Sequence, residues 1–300
     1  MVRQRVLVPP FLGSNPSDPV FPISGLPRHP AGPASWFPSS ITVDALTSTP
    51  LLVFDFDGVL VDGMREYWWS ARRAALRLAQ PSRAPQLELP ETAPAGFVQL
   101  RPLIHKGWEM VLMAAELGRP DLDLPVLLGD YAAALPGALE RWGWSPAVLQ
   151  QALESVRAEA IAGDRAAWLG LHRFYPGVPE RLARLAAEGA DWAVLTTKGG
   201  AFAAELLASA ALVPLDLFGH EQGEKAEVLL RLRQGQRPLW FVEDRRPTLE
   251  RVRATPGLEA VRCYLASWGY LAPGDRHGLA EAGIRWMEPE SFAAPLAHWP

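Results

Sequence analysis

The stretch LLVFDFDGVLVD, residues 51–62, runs four apolar residues into Asp55, adds Asp57 two positions later and follows with Gly58. A short continuous apolar run suits a strand buried on both faces, as in a parallel sheet covered by helices. Two carboxylates at the end of such a strand are costly to bury unless a cation or a proton-transfer role uses them. Gly58 suits a chain that must turn tightly at that point.

Downstream of this strand, residues 64–172 carry helical spacing and no convincing strand. MREYWWSARRAALRLAQ, GWEMVLMAAELG and SPAVLQQALESVRAEAIAG are the clearest helices, with Gly118 and Gly163 as stops. From about residue 173 the pattern alternates. DWAVLTT, LDLFGH, PLWFVED, LEAVRCYL and IRWME read as strands, and PERLARLAAEG, GAFAAELLASA, EKAEVLLRLRQG and PTLERVRAT as the helices between them. Strands alternating with helices of this length imply a doubly wound, mainly parallel α/β sheet. The expected organisation is an α/β core from residues 49–63 plus 173–300, with an all-helical cap, 64–172, inserted after the first strand.

Residues 1–48 read differently. Nine prolines fall in the first 40 positions and no periodicity is present, so this segment reads as a disordered tail or an over-called start. Its arginines and scarcity of acids leave an organelle transit segment as the alternative.

Composition narrows the function classes. With 49% hydrophobic and 21% charged residues the chain is ordinary for a globular protein. A net charge of −4 and the lack of a Lys/Arg block give no support to a nucleic-acid partner. No apolar run reaches the roughly 18 residues a membrane span needs. The single Cys263 fits a reducing compartment, hence a cytoplasmic expectation, and reads as a buried inert thiol. The twelve tryptophans read as core and helix-packing residues.

In an open α/β sheet the ligand crevice lies beyond the carboxyl ends of the strands. Three strand ends here carry polar groups: Asp55 and Asp57; Thr196, Thr197 and Lys198; Glu243 and Asp244. Lys225 opens a helix between the last two. Four converging carboxylates would raise one another's pKa values unless a cation joined them. A hard divalent ion with oxygen ligands, Mg²⁺, meets that need, and with a lysine it would attract a phosphate. One carboxylate of the first pair could then attack phosphorus while the other handles protons.

These residues resemble the haloacid-dehalogenase-like hydrolases, in particular phosphoglycolate-phosphatase-like and sugar-phosphatase-like members with a helical cap. LLVFDFDGV matches that family's first motif, WAVLTTK the second, Lys225 in GEKAEVLL the third and WFVEDRRPTL the fourth; FYPGVPERLARLAAEG resembles the return from cap to core. The resemblance implies a Mg²⁺-dependent phosphatase acting on a small phosphorylated metabolite through an aspartyl-phosphate. Asp55 would be the nucleophile, Asp57 the acid/base with its backbone carbonyl on the metal, Thr196 a phosphoryl ligand, and Lys225 the charge neutraliser. Glu243 and Asp244 would complete the metal shell with Asp55 and Asp57. A β-phosphoglucomutase-like mutase and a non-catalytic regulatory or binding protein are the alternatives. Motif four departs from many relatives, with Thr248 where a further Asp is common. Gly58, Thr197 and Lys198 are substrate-binding candidates in the core. Arg101, His105 and Lys106, in the polar segment RPLIHKGWEM, are candidates in the cap. Arg245 and Arg246 read as solvated. The oligomeric state is left open.

Overall fold

The computed structural model describes residues 49–79, 87, 89–235 and 237–300. The reading of residues 1–48 therefore lies outside the described residues. Six parallel strands form one sheet: β1 (Leu51–Phe54), β4 (Asp191–Leu195), β5 (Asp216–Phe218), β6 (Leu239–Glu243), β7 (Arg262–Ala266) and β8 (Ile284–Met287). Their order is β5-β4-β1-β6-β7-β8. β1 is paired in parallel with β4 on one side and β6 on the other. The chain thus fills the sheet to one side of β1 and then crosses to the other. That reversal puts the topological switch point, where open α/β sheets bind ligands, at the end of β1.

The period-two pattern sorts each strand's side chains onto two cores. Leu52, Phe54, Val194 and Val242 face one layer with α7 (Val178–Leu185), α8 (Gly200–Ser209) and α11 (Pro289–Ala293). Leu51, Val53, Leu195 and Phe241 face the other with α9 (Lys225–Arg233) and α10 (Arg246–Ala254). β1 has no solvated face, which is why LLVF shows no polar alternation. Cys263 is fully buried in β7, and burial pushes its thiol up to about 12.

Between β2 (Val61–Asp62) and β3 (Arg173–Phe174), which pair antiparallel, the described chain is helical. α1 (Met64–Leu78), α2 (Ala95–Leu100), α3 (Gly107–Leu117), α4 (Leu124–Gly129), α5 (Tyr131–Trp142) and α6 (Pro146–Leu169) share their own core. α3 is apolar nearly all round because it lies between α1 and α6. Trp68 and Trp142 are buried in this core, as their packing role requires. Gly163 does not end α6. The non-helical residue is Asp164 (φ −149°, ψ 89°), whose Oδ1 accepts from the backbone N–H of Ala167 at 2.9 Å and so caps a resumed turn. No helix is long and apolar enough to cross a membrane among the described residues.

Candidate active site

β1 and β6 are hydrogen-bonded neighbours, so the residues just past their last apolar positions meet. Phe54 pairs with Val242, and Asp55, Glu243 and Asp244 follow. The three offer carboxylate oxygens that all lie within 4.8 Å of one another. Asp55 is 6% exposed, Glu243 0% and Asp244 1%. Lys225, first residue of α9, places its Nζ 2.6 Å from Asp55 Oδ1 and 2.6 Å from Glu243 Oε2. Glu243 Oε1 accepts from the backbone N–H groups of Asp244 and Arg245, each at 3.1 Å. Asp244 Oδ2 accepts from the Tyr270 N–H at 2.8 Å. One oxygen of Asp55 and one of Asp244 stand outside these bonds.

The electrostatics follow from three buried acids and one lysine. Burial first, then the Glu243 charge, raise the Asp55 carboxyl to about 7, against the pull of Lys225. Asp244 is raised well above its usual range by burial and by Glu243 and Asp55. Burial alone would depress Lys225, but Asp55 and Glu243 outweigh it and hold the ammonium above the usual lysine value. One lysine leaves the group short of positive charge. The donors are all hard oxygens, and the residues therefore fit a divalent ion such as Mg²⁺.

Asp57 does not join this cluster, contrary to the expectation of four converging carboxylates. The chain bends after Asp55, Asp57 forms a bridge to Val61, and Gly58 takes φ +94°. The Asp57 side chain instead lies 3.3 Å from Lys198 Nζ. Its Oδ1 is buried without a hydrogen bond of normal geometry. Gly58 itself is not in the cavity wall; a Cβ there would fall 2.0 Å from Asp244 Oδ2.

A cavity of about 470 Å³ opens over these groups and is lined by residues of core and insertion alike. Asp55, Asp57, Thr197, Lys198, Lys225, Glu243 and Asp244 come from the core side, and Arg101, His105 and Lys106 from the loop ahead of α3. All three candidates from RPLIHKGWEM thus reach the cavity. Of the two threonines, Thr197 lines it. Thr196 is buried, and its Oγ1 accepts from the Lys198 N–H at 3.0 Å, fixing the turn after β4. Thr248 also lines the wall.

One wall residue, Arg157, had no signal in the sequence, and the partners of the other arginines around the site had none either. Arg157 of α6 reaches the cavity while its guanidinium grips the buried Glu66 of α1 at 2.7 and 2.8 Å. The Arg101 guanidinium lies against the rings of both Tyr67 and Tyr270, 4.8 and 4.4 Å from their centroids, and its buried Nε has no partner. Arg245, read as solvated, instead donates to the Ile104 carbonyl at 3.1 Å and to His105 Nδ1 at 2.6 Å, tying the core to the loop above the cavity. Burial and Arg245 hold His105 below its ordinary value, which suits an accepting imidazole. Arg246 bonds Glu250 and the carbonyls of Asp275 and His277. Apart from Glu250, one turn along α10 from Arg246, these partners lie on segments far apart in the chain, so no local pattern announces them.

No family model matches the chain, and no curated protein matches it. Solved structures do. One described as a predicted phosphoglycolate phosphatase from Haemophilus somnus 129PT is 17% identical, with 83% of this chain and 96% of that chain covered, at a TM-score of 0.53. A hydrolase of the haloacid dehalogenase-like family from Streptococcus pneumoniae is 15% identical over 84% of this chain and 97% of its own, at 0.49. A predicted phosphatase from Clostridium acetobutylicum is 13% identical over 80% and 93%, at 0.47. At these identities the likeness is one of fold, carried by the first of the three. With its parallel sheet, its switch point at β1 and its helices inserted after that strand, the chain shares the fold of the first of these structures.

Proposed function

We propose that the protein is a Mg²⁺-dependent phosphomonoesterase that hydrolyses a small anionic metabolite ester through an aspartyl-phosphate. The observation that carries this reading is the meeting of Asp55, Glu243 and Asp244 with Lys225 at the ends of two adjacent strands. Asp55 forms a bond to phosphorus while the bond from phosphorus to the ester oxygen breaks, and Asp57 gives that oxygen a proton. Water then attacks the same phosphorus, Asp57 takes a proton from it, and the bond to Asp55 breaks to release phosphate. Lys225 and Thr197, which lines the cavity after β4, balance the charge on the phosphoryl oxygens. Asp55, Glu243 and Asp244, with the backbone carbonyl of Asp57, would hold the metal. When bound, Mg²⁺ supplies a Lewis acid beside the phosphoryl group.

The helices of residues 64–172 act as the lid that excludes water and reads the alcohol. Arg101, a half-buried cation whose Nε lacks a partner, favours an alcohol that bears its own negative charge. Phosphoglycolate is of this kind, and a neutral sugar phosphate is less well matched. The test is phosphate release from a broad ester panel, with Mg²⁺ and with a chelator. Turnover should require the metal and favour acidic alcohols, and Asp55→Asn should abolish it while the thermal transition is kept. Turnover that survives in Asp55→Asn, or an inert wild type across the panel, would overturn the reading.

A further inference from the structure

His172 lies outside the cavity wall, in the three residues that join α6 to β3. It is 8% exposed, and its ring meets Trp168 edge-on at 5.0 Å between centroids. Its Nδ1 is 3.3 Å from the Leu169 carbonyl, an acceptor only, so Nδ1 carries the proton in that contact. Nε2 then presents a lone pair, and the group it faces is Lys198 Nζ at 3.5 Å. The same ammonium is 3.3 Å from Asp57 Oδ1. Burial first, and then the Lys198 charge, hold the imidazole below its ordinary value, which keeps Nε2 an acceptor at neutral pH.

The two lysines of the site therefore divide the work by position. Lys225 lies between Asp55 and Glu243, where the phosphoryl group would be attacked. Lys198 lies beside Asp57, where the departing oxygen must be to receive its proton. A lysine on a flexible stem would otherwise sample many positions and lose rotamer entropy when ordered.

We propose that His172 is a positioning residue that holds the Lys198 ammonium beside Asp57, so that Lys198 donates a hydrogen bond to the departing alcohol oxygen as the phosphorus–oxygen bond breaks. The electron pair of that bond goes to the oxygen, the proton comes from Asp57, and Lys198 keeps its own protons. This rests on the phosphomonoesterase reading. Because His172 belongs to the segment by which the helical insertion returns to the core, Lys198 is correctly aimed only when that segment is seated.

The consequence is a dependence on the leaving group. An alkoxide is a poor leaving group and needs the ammonium; p-nitrophenolate is a good one and hardly needs it. The experiment compares p-nitrophenyl phosphate with the alkyl phosphate that the wild type turns over fastest in the panel. In His172→Phe, which keeps a ring against Trp168 but has no acceptor, the alkyl-to-aryl ratio of kcat should fall about tenfold, with KM changed less than twofold. His172→Gln, which returns an oxygen acceptor near the Nε2 position, should recover most of the ratio. Lys198→Met should lower the ratio at least as far as His172→Phe does. Equal loss on both esters in His172→Phe and Lys198→Met marks a structural role and overturns the proposal, as does an unchanged ratio in either. If His172→Phe fails to fold, the proposal stands only if Lys198→Met lowers the ratio and His172→Gln keeps it within threefold of wild type. A wild type inert toward both esters sinks the phosphatase reading itself, whereas an active wild type with no leaving-group split sinks only the role of His172.

Discussion

Gly58 and Gly269 close on Asp244 from two directions. A Cβ on Gly58 would fall 2.0 Å from Asp244 Oδ2, and one on Gly269 would fall 2.2 Å from Asp244 Cβ and 2.6 Å from the Gly58 carbonyl oxygen. Gly58 is also at φ +94°, a region that side chains with a Cβ rarely enter. The glycine of the opening motif therefore serves two physical needs at once, a left-handed turn and the close approach of the Asp244 carboxylate. Gly58→Ala should cost about 1–3 kcal/mol from backbone strain alone, with the clash against Asp244 in addition. Since the relief of that clash moves Asp244, the Mg²⁺ concentration needed for half-maximal activity should rise as well. Thermal melting and a Mg²⁺ titration of activity check the two parts, and an alanine variant with wild-type metal dependence would contradict this account of Gly58.

The strands and helices that the sequence announces are those whose burial is periodic. All six strands of the sheet coincide with stretches read as strands from residues 51–287; β1 and β6, in the middle of the sheet, are buried along their whole length, while the edge strands β5 and β8 are only partly covered. α5 was hidden by Pro136, which sits inside the helix without ending it, and β2 and β3 by being two residues long each. The carboxylates and lysines on the strand ends could be read from spacing, since strand order alone brings them together. Arg157 could not: its partner Glu66 is 91 positions away, and only the packing of α1 on α6 joins them. That pair is the electrostatic seam of the helical insertion. Burial would push Glu66 up, but the charge and hydrogen bonds of Arg157 outweigh it, with Lys198 and Ser70 adding, and hold the carboxyl at about 2, down from 4.5. The folded-state value is depressed, so this stabilisation is present above pH 4.5 and is lost as the pH falls toward 2. Arg157→Met leaves a fully buried carboxylate without its cation, which costs about 3–5 kcal/mol and should lower Tm by roughly 10 °C. The variant should also lose the steep fall in Tm between pH 4.5 and 2 that the wild type owes to Glu66. Melting curves across that range test both, and a small loss that is uniform with pH would assign the stability of the seam to packing alone.

At the level of the folded chain, the sheet order would make binding of the proposed metal and stability one property. β1 and β6 bring Asp55, Glu243 and Asp244 together only in the native state, so folding itself must bear whatever repulsion Lys225 does not offset. The direction with pH follows from the raised groups. Asp55 goes from 3.8 to about 7 on burial beside Glu243, and Asp244 moves the same way. Between pH 4 and 7 these two groups therefore hold more protons in the native state than in the unfolded chain. The contribution of Asp55 to stability is full below 3.8 and is lost as the pH rises through about 7. A divalent ion that binds the ionised carboxylates competes with those protons and restores at high pH what deprotonation removes. Mg²⁺ at about 100 times its Kd should add about 2.7 kcal/mol, a rise in Tm of roughly 5–10 °C at pH 8. The rise should shrink markedly at pH 5, where Asp55 keeps its proton, and in Asp55→Asn the difference between the two pH values should narrow. Differential scanning fluorimetry at pH 5 and 8, with Mg²⁺ and with chelator, reads this without any substrate. Equal shifts at both pH values, or none at either, would mean that the three carboxylates are balanced by Lys225 and protons alone and do not form a metal centre.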